Sequence, residues 1–170
     1  MDQFASPEQM RLVLGTFATG VVVVTGDDDG APVGFTCQSF ASVSLNPPLV
    51  LFCPAHTSFS WPRIHASGRF AVNVLADDQQ EVCDRFATSG GDKFAALPWH
   101  RTAWGPTIEG SLATVLCTIE AVHPGGDHDI VVGRVRQLVT RPAGSPLVFF
   151  RGAFGLAPDP ISPTPWREPL

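Results

Sequence analysis

Apolar residues fall at helical spacing near the amino end, where Met10, Val13, Leu14 and Phe17 sit at i, i+3, i+4 and i+7 and make one stripe. Ser6-Pro7-Glu8-Gln9 precedes it with a start signal: a serine able to cap, a proline at the first helical position and a glutamine able to complete a capping box. The pattern predicts a helix that ends at Gly20. The period then changes. Val21 to Thr25 is a β-branched run, Gly26-Asp27-Asp28-Asp29-Gly30 reads as a turn, and Pro32 to Phe40 and Leu49 to Cys53 read as strands. Ser58-Phe59-Ser60-Trp61-Pro62 opens a second helix that stops near Gly68. Arg69 to Leu75 is the next strand, with Phe70, Val72 and Val74 alternating against polar or small neighbours. Asp77-Asp78-Gln79-Gln80 predicts another capping box, with Val82 and Phe86 on one side of a third helix.

From Thr88 to Gly110 the pattern dissolves into a loop longer than a compact domain leaves idle. Three strand-like runs follow, Ser111 to Val122, Ile130 to Leu138 and Leu147 to Phe150, with Gly125-Gly126-Asp127 as a hairpin turn between the first two. At least six strands, short helices and many turn signals favour a mainly β fold closed into a Greek-key-like barrel over a parallel sheet. The expected organisation is one domain over residues 1–155 and an extended tail over 156–170, which holds five prolines.

Composition narrows the class. With 170 residues, 44% hydrophobic and 16% charged, the chain can bury a core without staples. A net charge of -5 and the absence of any basic run argue against nucleic acid as a partner. Cys37, Cys53, Cys83 and Cys117 form no CxxC pair, and no secretory signal or membrane-length apolar run is present. The expectation is a soluble, cytoplasmic protein with reduced thiols.

No GxGxxG follows a strand, and no P-loop, HExxH or GxSxG occurs, so any enzyme here borrows its reactivity from a cofactor. Thr36-Cys37-Gln38-Ser39 with Ser42 and Ser44 sets short polar residues along a strand, where backbone groups can read the edge of a flavin ring; a strand face meeting solvent explains them as well. Cys53-Pro54-Ala55-His56-Thr57-Ser58 runs into a helix start able to receive a phosphate, and ordinary capping by Ser58 or Ser60 explains the same serines. Arg85, Phe86, Lys93 and Phe94 set cations beside aromatics, which suits a phosphate or adenine end or a solvated helix face. His128 sits at a hairpin mouth between Asp127 and Asp129, able to touch a nicotinamide or simply to be solvated. Flavin is the leading cofactor candidate, although other anionic ligands fit this pattern.

Taken in order, FATGVVVVT (17–25), GFTCQSFASVSLNPPLVLF (34–52), SFSWPRIHASGRFAVNVL (58–75), GDHDIVVGRV (126–135) and PLVFFRGAFG (146–155) resemble the flavin reductase-like family. Its members include the small reductase components of two-component flavin-dependent monooxygenases. The resemblance covers residues 10 to 155 and leans towards reductases serving aromatic or steroid-ring hydroxylases. It implies a flavin-binding split β-barrel, usually a homodimer, in which NADH or NADPH passes hydride to FMN or FAD and a separate oxygenase receives the reduced flavin.

Carried over position by position, the resemblance assigns Thr36, Cys37, Gln38, Ser39 and Ser42 to the ring-binding strand. Cys53, Pro54 and Ala55 match the second ring-side segment, Ser58 and Phe59 the phosphate-side turn, and Arg85 and Phe86 a further flavin contact. His128 and Arg151, Gly152, Ala153 and Phe154 match nicotinamide-nucleotide positions. Cys37-Gln38 departs from the Ser/Asn-type pair expected there, which leaves backbone contacts intact and puts side-chain contacts in question. Two rivals remain: a flavoenzyme that retains FMN and acts on its own organic substrate, and a non-catalytic flavin- or haem-binding module.

Overall fold

The computed structural model describes residues 5–141 and 143–155; the expected tail, 156–170, lies outside the described residues. Helix α1 (Pro7–Leu14) starts as its sequence predicts, with Ser6 Oγ accepting from Gln9 N at 3.2 Å and Ser6 N donating to Gln9 Oε1 at 2.9 Å. It stops well before Gly20, at the Gly15 cap. Its apolar stripe enters no core: Met10, Val13, Leu14 and Phe17 all stay exposed.

Strands β1 (Thr19–Gly20), β2 (Val22–Asp28) and β3 (Ala31–Cys37) follow. The turn between β2 and β3 is only Asp29-Gly30, both at positive φ (48° and 91°), so Gly26 to Asp28 remain in the ladder rather than in the expected five-residue turn. Two residues at positive φ match the right-handed twist of a hairpin. The run expected to extend to Phe40 breaks at Cys37, and a separate strand β4 (Ala41–Leu45) pairs with β5 (Pro48–Phe52).

Next come α2 (Trp61–Ser67), β6 (Arg69–Val74) and α3 (Gln80–Ala87). The capping box expected at Asp77–Gln80 does not form. Gln79 Oε1 instead accepts from Ala76 N at 3.0 Å and its Nε2 donates to Glu109 O at 2.8 Å. The expected loop contains a hairpin, β7 (Trp99–Thr102) with β8 (Gly105–Ile108). A long hairpin, β9 (Ala113–Gly125) with β10 (His128–Thr140), turns at Gly126-Asp127 as predicted, and β11 (Val148–Phe150) and β12 (Ala153–Phe154) end the described chain.

Seven strands form one antiparallel sheet in the order β3-β2-β6-β9-β10-β5-β4. No described sheet closes on itself, which corrects the closed barrel. The chain is mainly β with few short helices. In a flat sheet, six steps of about 4.8 Å would hold β3 and β4 roughly 29 Å apart. Only Gln38, Ser39 and Phe40 join Cys37 to Ala41, a reach of at most about 14 Å. The sheet must therefore curl until its two edge strands approach, leaving a seam without ladder bonds. That seam is where the candidate site lies.

The valines of β2 serve both faces. Val22 and Val24 join Phe52, Trp61, Ile64 and Phe70 inside the curl, while Val21, which immediately precedes β2, and Val23 join Leu75, Phe86, Phe94 and Ile108 outside it. A strand buried on both faces reads as a continuous apolar run, which is how Val21 to Thr25 reads. Gly133 is required inside: a Cβ there would lie 2.3 Å from Phe70 Cζ. Opposite, Asn73 is wholly buried. Its Nδ2 donates to Val23 O and Thr25 Oγ1, both at 3.1 Å, and its Oδ1 accepts from Ile108 N at 2.9 Å, so it ties the β7–β8 hairpin to the sheet.

Candidate functional site

A cleft of about 810 Å³ opens at the seam. One wall is the end of β3, Phe35 to Ser39, and the other is Cys53 to Ala55 with Thr57 to Ser60. The end of α3 and the residues after it, Phe86 to Ser89 with Lys93, close one side, and Gly125, His128 and Ile130 of the β9–β10 hairpin close the other. Its volume lies within the range that small-molecule sites occupy, about 300–1,000 Å³.

Ser39 pins the seam. Its Oγ accepts from Cys53 N at 2.8 Å and lies 3.2 Å from Cys53 O and 3.1 Å from Cys37 Sγ. Thr36 Oγ1 donates to Cys83 O at 2.6 Å and so fastens β3 to α3. These hydroxyls hold the wall in place. Cys37 is buried in the inner core, and burial pushes its thiol above the ordinary range. The Cys37-Gln38 departure thus places the first side chain in the core and leaves the second on the cleft. Burial pushes the Cys117 thiol further, up to about 12. All four cysteines are free.

The second wall is zipped to the β-hairpin: Asp129 N donates to Pro54 O and His56 N to Asp127 O, each at 3.0 Å. Ser58 Oγ accepts from Trp61 N at 3.2 Å, an ordinary cap for the first turn of α2, while Ser60 Oγ is turned inward to Gly34 O at 2.8 Å. Asp129 locks this wall from behind, accepting from Trp61 Nε1 at 2.7 Å and lying 3.1 Å from His56 Nε2. The Trp61 hydrogen bond, with a smaller contribution from His56 and against partial desolvation, holds the Asp129 carboxyl below its ordinary 3.8.

A carboxyl depressed on folding stabilises the fold above its ordinary value and loses that contribution as pH falls through the folded value. Asp129→Asn is therefore expected to be less stable than the wild type at neutral pH, with the gap closing below about pH 4. Urea unfolding across pH 3–7 reads this, and a gap independent of pH would exclude the clasp.

Lys93 is the one Lys or Arg lining the cleft among the described residues. Its Nζ donates to Phe86 O at 3.1 Å and Gly34 O at 3.3 Å, and partial burial holds its ammonium below the ordinary range. Two of its three donors are used, and the third is free for an anion. Gly34 matters here because a Cβ would come within 2.9 Å of Phe86 Cε1.

Of the residues singled out in the sequence, Thr36, Cys37, Gln38, Ser39, Cys53, Pro54, Ala55, Ser58, Phe59, Phe86 and His128 meet at this cleft. Ser42 lies on exposed β4, and Arg85 points outward to donate to Ala95 O at 2.8 Å. Arg151 and Gly152 lie against α1, with Arg151 N donating to Gly15 O at 2.9 Å. Ala153 is exposed, and Phe154 packs edge-on to Phe149 at 5.2 Å beside the outer core. Gln38 and His128 also line a second cavity of about 700 Å³ with Phe17, Thr19, Phe149 and Gly152, so Gly152 reaches the same wall from its other side. There Thr19 Oγ1 is buried without a hydrogen-bond partner. His128 Nδ1 lies 2.7 Å from Asp127 Oδ1, and that contact holds the Asp127 carboxyl below its usual range.

Sequence reasoning missed Phe35, Ala87, Thr88, Ser89, Gly125 and Ile130 as lining residues. The small polar run Thr88-Ser89-Gly90-Gly91 just after a helix was the available signal.

The domain model described as "Flavin reductase like domain" matches residues 14–157. The reductase subunit HsaB of a flavin-dependent monooxygenase from Rhodococcus jostii is 52% identical over 166 residues, covering 96% of this chain and 85% of that protein. Nitrilotriacetate monooxygenase component B from Mycobacterium thermoresistibile superposes with a TM-score of 0.84 at 48% identity, over 95% of this chain and 92% of its own. A Streptomyces globisporus NADH:FAD oxidoreductase, solved with NAD and FAD fragments, superposes with a TM-score of 0.84 at 37% identity, over 92% of this chain and 98% of its own.

Proposed function

The chain belongs to the flavin reductase-like family, and from that premise we propose that it oxidises NADH, reduces a flavin held at the seam and passes the reduced flavin to a separate oxygenase. The observation that carries this reading is a cleft walled by backbone and short side chains with a single cation, Lys93, at one side. A flat ring with a phosphate-bearing tail fits such a site: the walls present peptide groups at close range, and Lys93 answers the anionic end. Hydride transfer from NADH to flavin is chemistry that the two small molecules supply once they are held together.

The chain's part is to bind, orient and exclude water. Peptide groups of Thr36 to Ser39 and of Ala55 hold the ring against the wall that Cys53 and Pro54 form, Thr57 and Ser58 with Lys93 hold the phosphate side, and the Phe86 and Gly34 carbonyls position Lys93. His128, fixed by Asp127, orients the nicotinamide from the wall that the two cavities share. His128→Ala is expected to raise the Michaelis constant for NADH several-fold with a smaller change in turnover; steady-state kinetics that leave both unchanged would remove His128 from this role.

Loss of 340 nm absorbance on mixing the protein with NADH or NADPH, with and without added FMN or FAD, tests the function. Oxidation that depends on added flavin supports the diffusible-flavin reductase. No oxidation in any combination, with flavin nevertheless bound, overturns it in favour of a binding module. Lys93 is the one Lys or Arg lining the cleft among the described residues, and this scarcity of cations favours NADH over a nucleotide with a 2′-phosphate.

The exposed apolar stripe of α1 and the residues after it, with Leu14 58% and Phe17 76% accessible and both lining the second cavity, fits a homodimer in which a second copy covers this face. Sedimentation of a monomer at micromolar concentration would sink that arrangement. No helix among the described residues is long and apolar enough to cross a membrane, and four unpaired thiols fit a reducing cytoplasm. An oxygenase that hydroxylates an aromatic or steroid ring is the partner to which the sequence resemblance points.

A further inference from the structure

Phe59 is an aromatic residue on the cleft whose ring remains mostly in solvent, 63% accessible. An exposed phenylalanine costs solvation unless something covers it. One face is already covered: Arg63 Cζ lies 3.6 Å from the ring centroid. The guanidinium cannot wander, because its Nε donates to Asp28 Oδ2 at 2.9 Å and its Nη1 donates to Phe59 O. The outcome is a clamped ring with one face backed by a cation and the other open.

The cleft does not end at Lys93. A side pocket of about 100 Å³ shares Phe59, Ser60 and Lys93 with it and continues along Gly90 and Gly91. Both glycines have positive φ (82° and 71°) and carry no side chain, so these two positions leave the path open, with Asp92 on its wall beside Lys93. A ligand that ended at one phosphate would have no use for a clamped aromatic and an open channel beyond the cation. A ligand whose tail continues past the phosphate would.

We propose that the Phe59–Arg63 stack is the platform for the adenine ring of a dinucleotide whose phosphates pass Lys93. This rests on the reading of the cleft as a flavin and nicotinamide site, and it adds the ligand class. An adenine is flat and π-rich, so it gains by stacking on the open face. The cation on the opposite face holds the phenyl ring in place and reinforces the stack. FAD and NADH both carry this moiety, and FMN lacks it.

The test uses the full chain as wild type, Phe59→Ala and Phe59→Tyr. It measures dissociation constants for FAD and FMN by flavin fluorescence, and the Michaelis constant for NADH with FMN as acceptor. Base stacking on an aromatic corresponds to about ten-fold or more in affinity. If the adenine belongs to the flavin, the preference for FAD over FMN falls by about ten-fold in Phe59→Ala and returns in Phe59→Tyr. If it belongs to the pyridine nucleotide, the flavin ratio stays put while the Michaelis constant for NADH rises by that factor. Equal weakening of FMN and FAD, or no change in either quantity, overturns the proposal. Failure of the underlying reading looks different: the wild type itself would bind neither flavin, or would bind flavin and oxidise no NADH.

Discussion

Asn73→Ala is expected to be the most damaging single substitution outside the cleft, lowering stability by about 3 kcal/mol. The side chain is wholly buried and uses both ends of its amide. Truncation leaves Ile108 N without its acceptor in a region water does not reach, and an unpaired buried donor costs about 1–3 kcal/mol by itself. The lost contacts to Val23 O and Thr25 Oγ1 and the small void add to that. Loss of the Ile108 anchor also frees the β7–β8 hairpin, which packs with Phe94 and Trp99 against the outer core. For a chain of this length the melting temperature falls by roughly 6–12 °C. Asn73→Asp keeps the acceptor but buries a charge, so it is expected to be no better. Thermal and urea unfolding of the apo protein decide the matter, and a change under 1 kcal/mol would mean that the hairpin is held by other contacts.

Lys93→Gln is expected to weaken FMN binding by about ten- to a hundred-fold while changing riboflavin much less. A charge-assisted hydrogen bond to an anion is worth about 1.5–3 kcal/mol, which is that range of affinity. The comparison with riboflavin matters because Lys93 has two roles. Its bonds to Gly34 O and Phe86 O help hold β3 against the end of α3, so a mutant could lose affinity through the wall rather than through the phosphate. Riboflavin has the same ring and lacks the phosphate. Equal loss for both ligands would reassign Lys93 from anion binding to support of the fold. The low dielectric that makes the ammonium costly also makes an anion beside it more favourable than at an open surface.

Local order was legible where a pattern repeats within a few residues. Ser6 to Gln9 announced its capping box, the β-branched run Val21 to Thr25 announced its strand, and Gly126-Asp127 announced its turn. The failures share a cause. The second capping box was sound local chemistry, yet Gln79 rather than Gln80 reaches back three residues, to Ala76 N, while its other end is held by Glu109 O, thirty residues away. The β7–β8 hairpin showed no alternation because it is held by Asn73 on β6 together with Trp99 and Ile108 in the outer core, not by a repeating apolar face. Asn73 itself read as the outward neighbour of Val72, because alternation says nothing of what will cover the second face.

Site residues divide in the same way. The strand end Thr36–Ser39 and the segment Cys53–Ala55 were readable because each is a continuous run, and both reach the cleft. In the cluster of cations and aromatics, the resemblance picked Arg85 and passed over Lys93. Helical phase turns Arg85 outward, and the loop after α3 folds back to place Lys93 inside. By itself the chain determined its strands, its turns and which short polar segments could meet a ligand, since these depend on neighbours at separations of two to four residues. Only the tertiary structure decided that β3 and β4, adjacent in sequence, would stand at opposite edges of one curled sheet. That decision makes the seam, and it rests on long-range pairing and packing that no local pattern encodes.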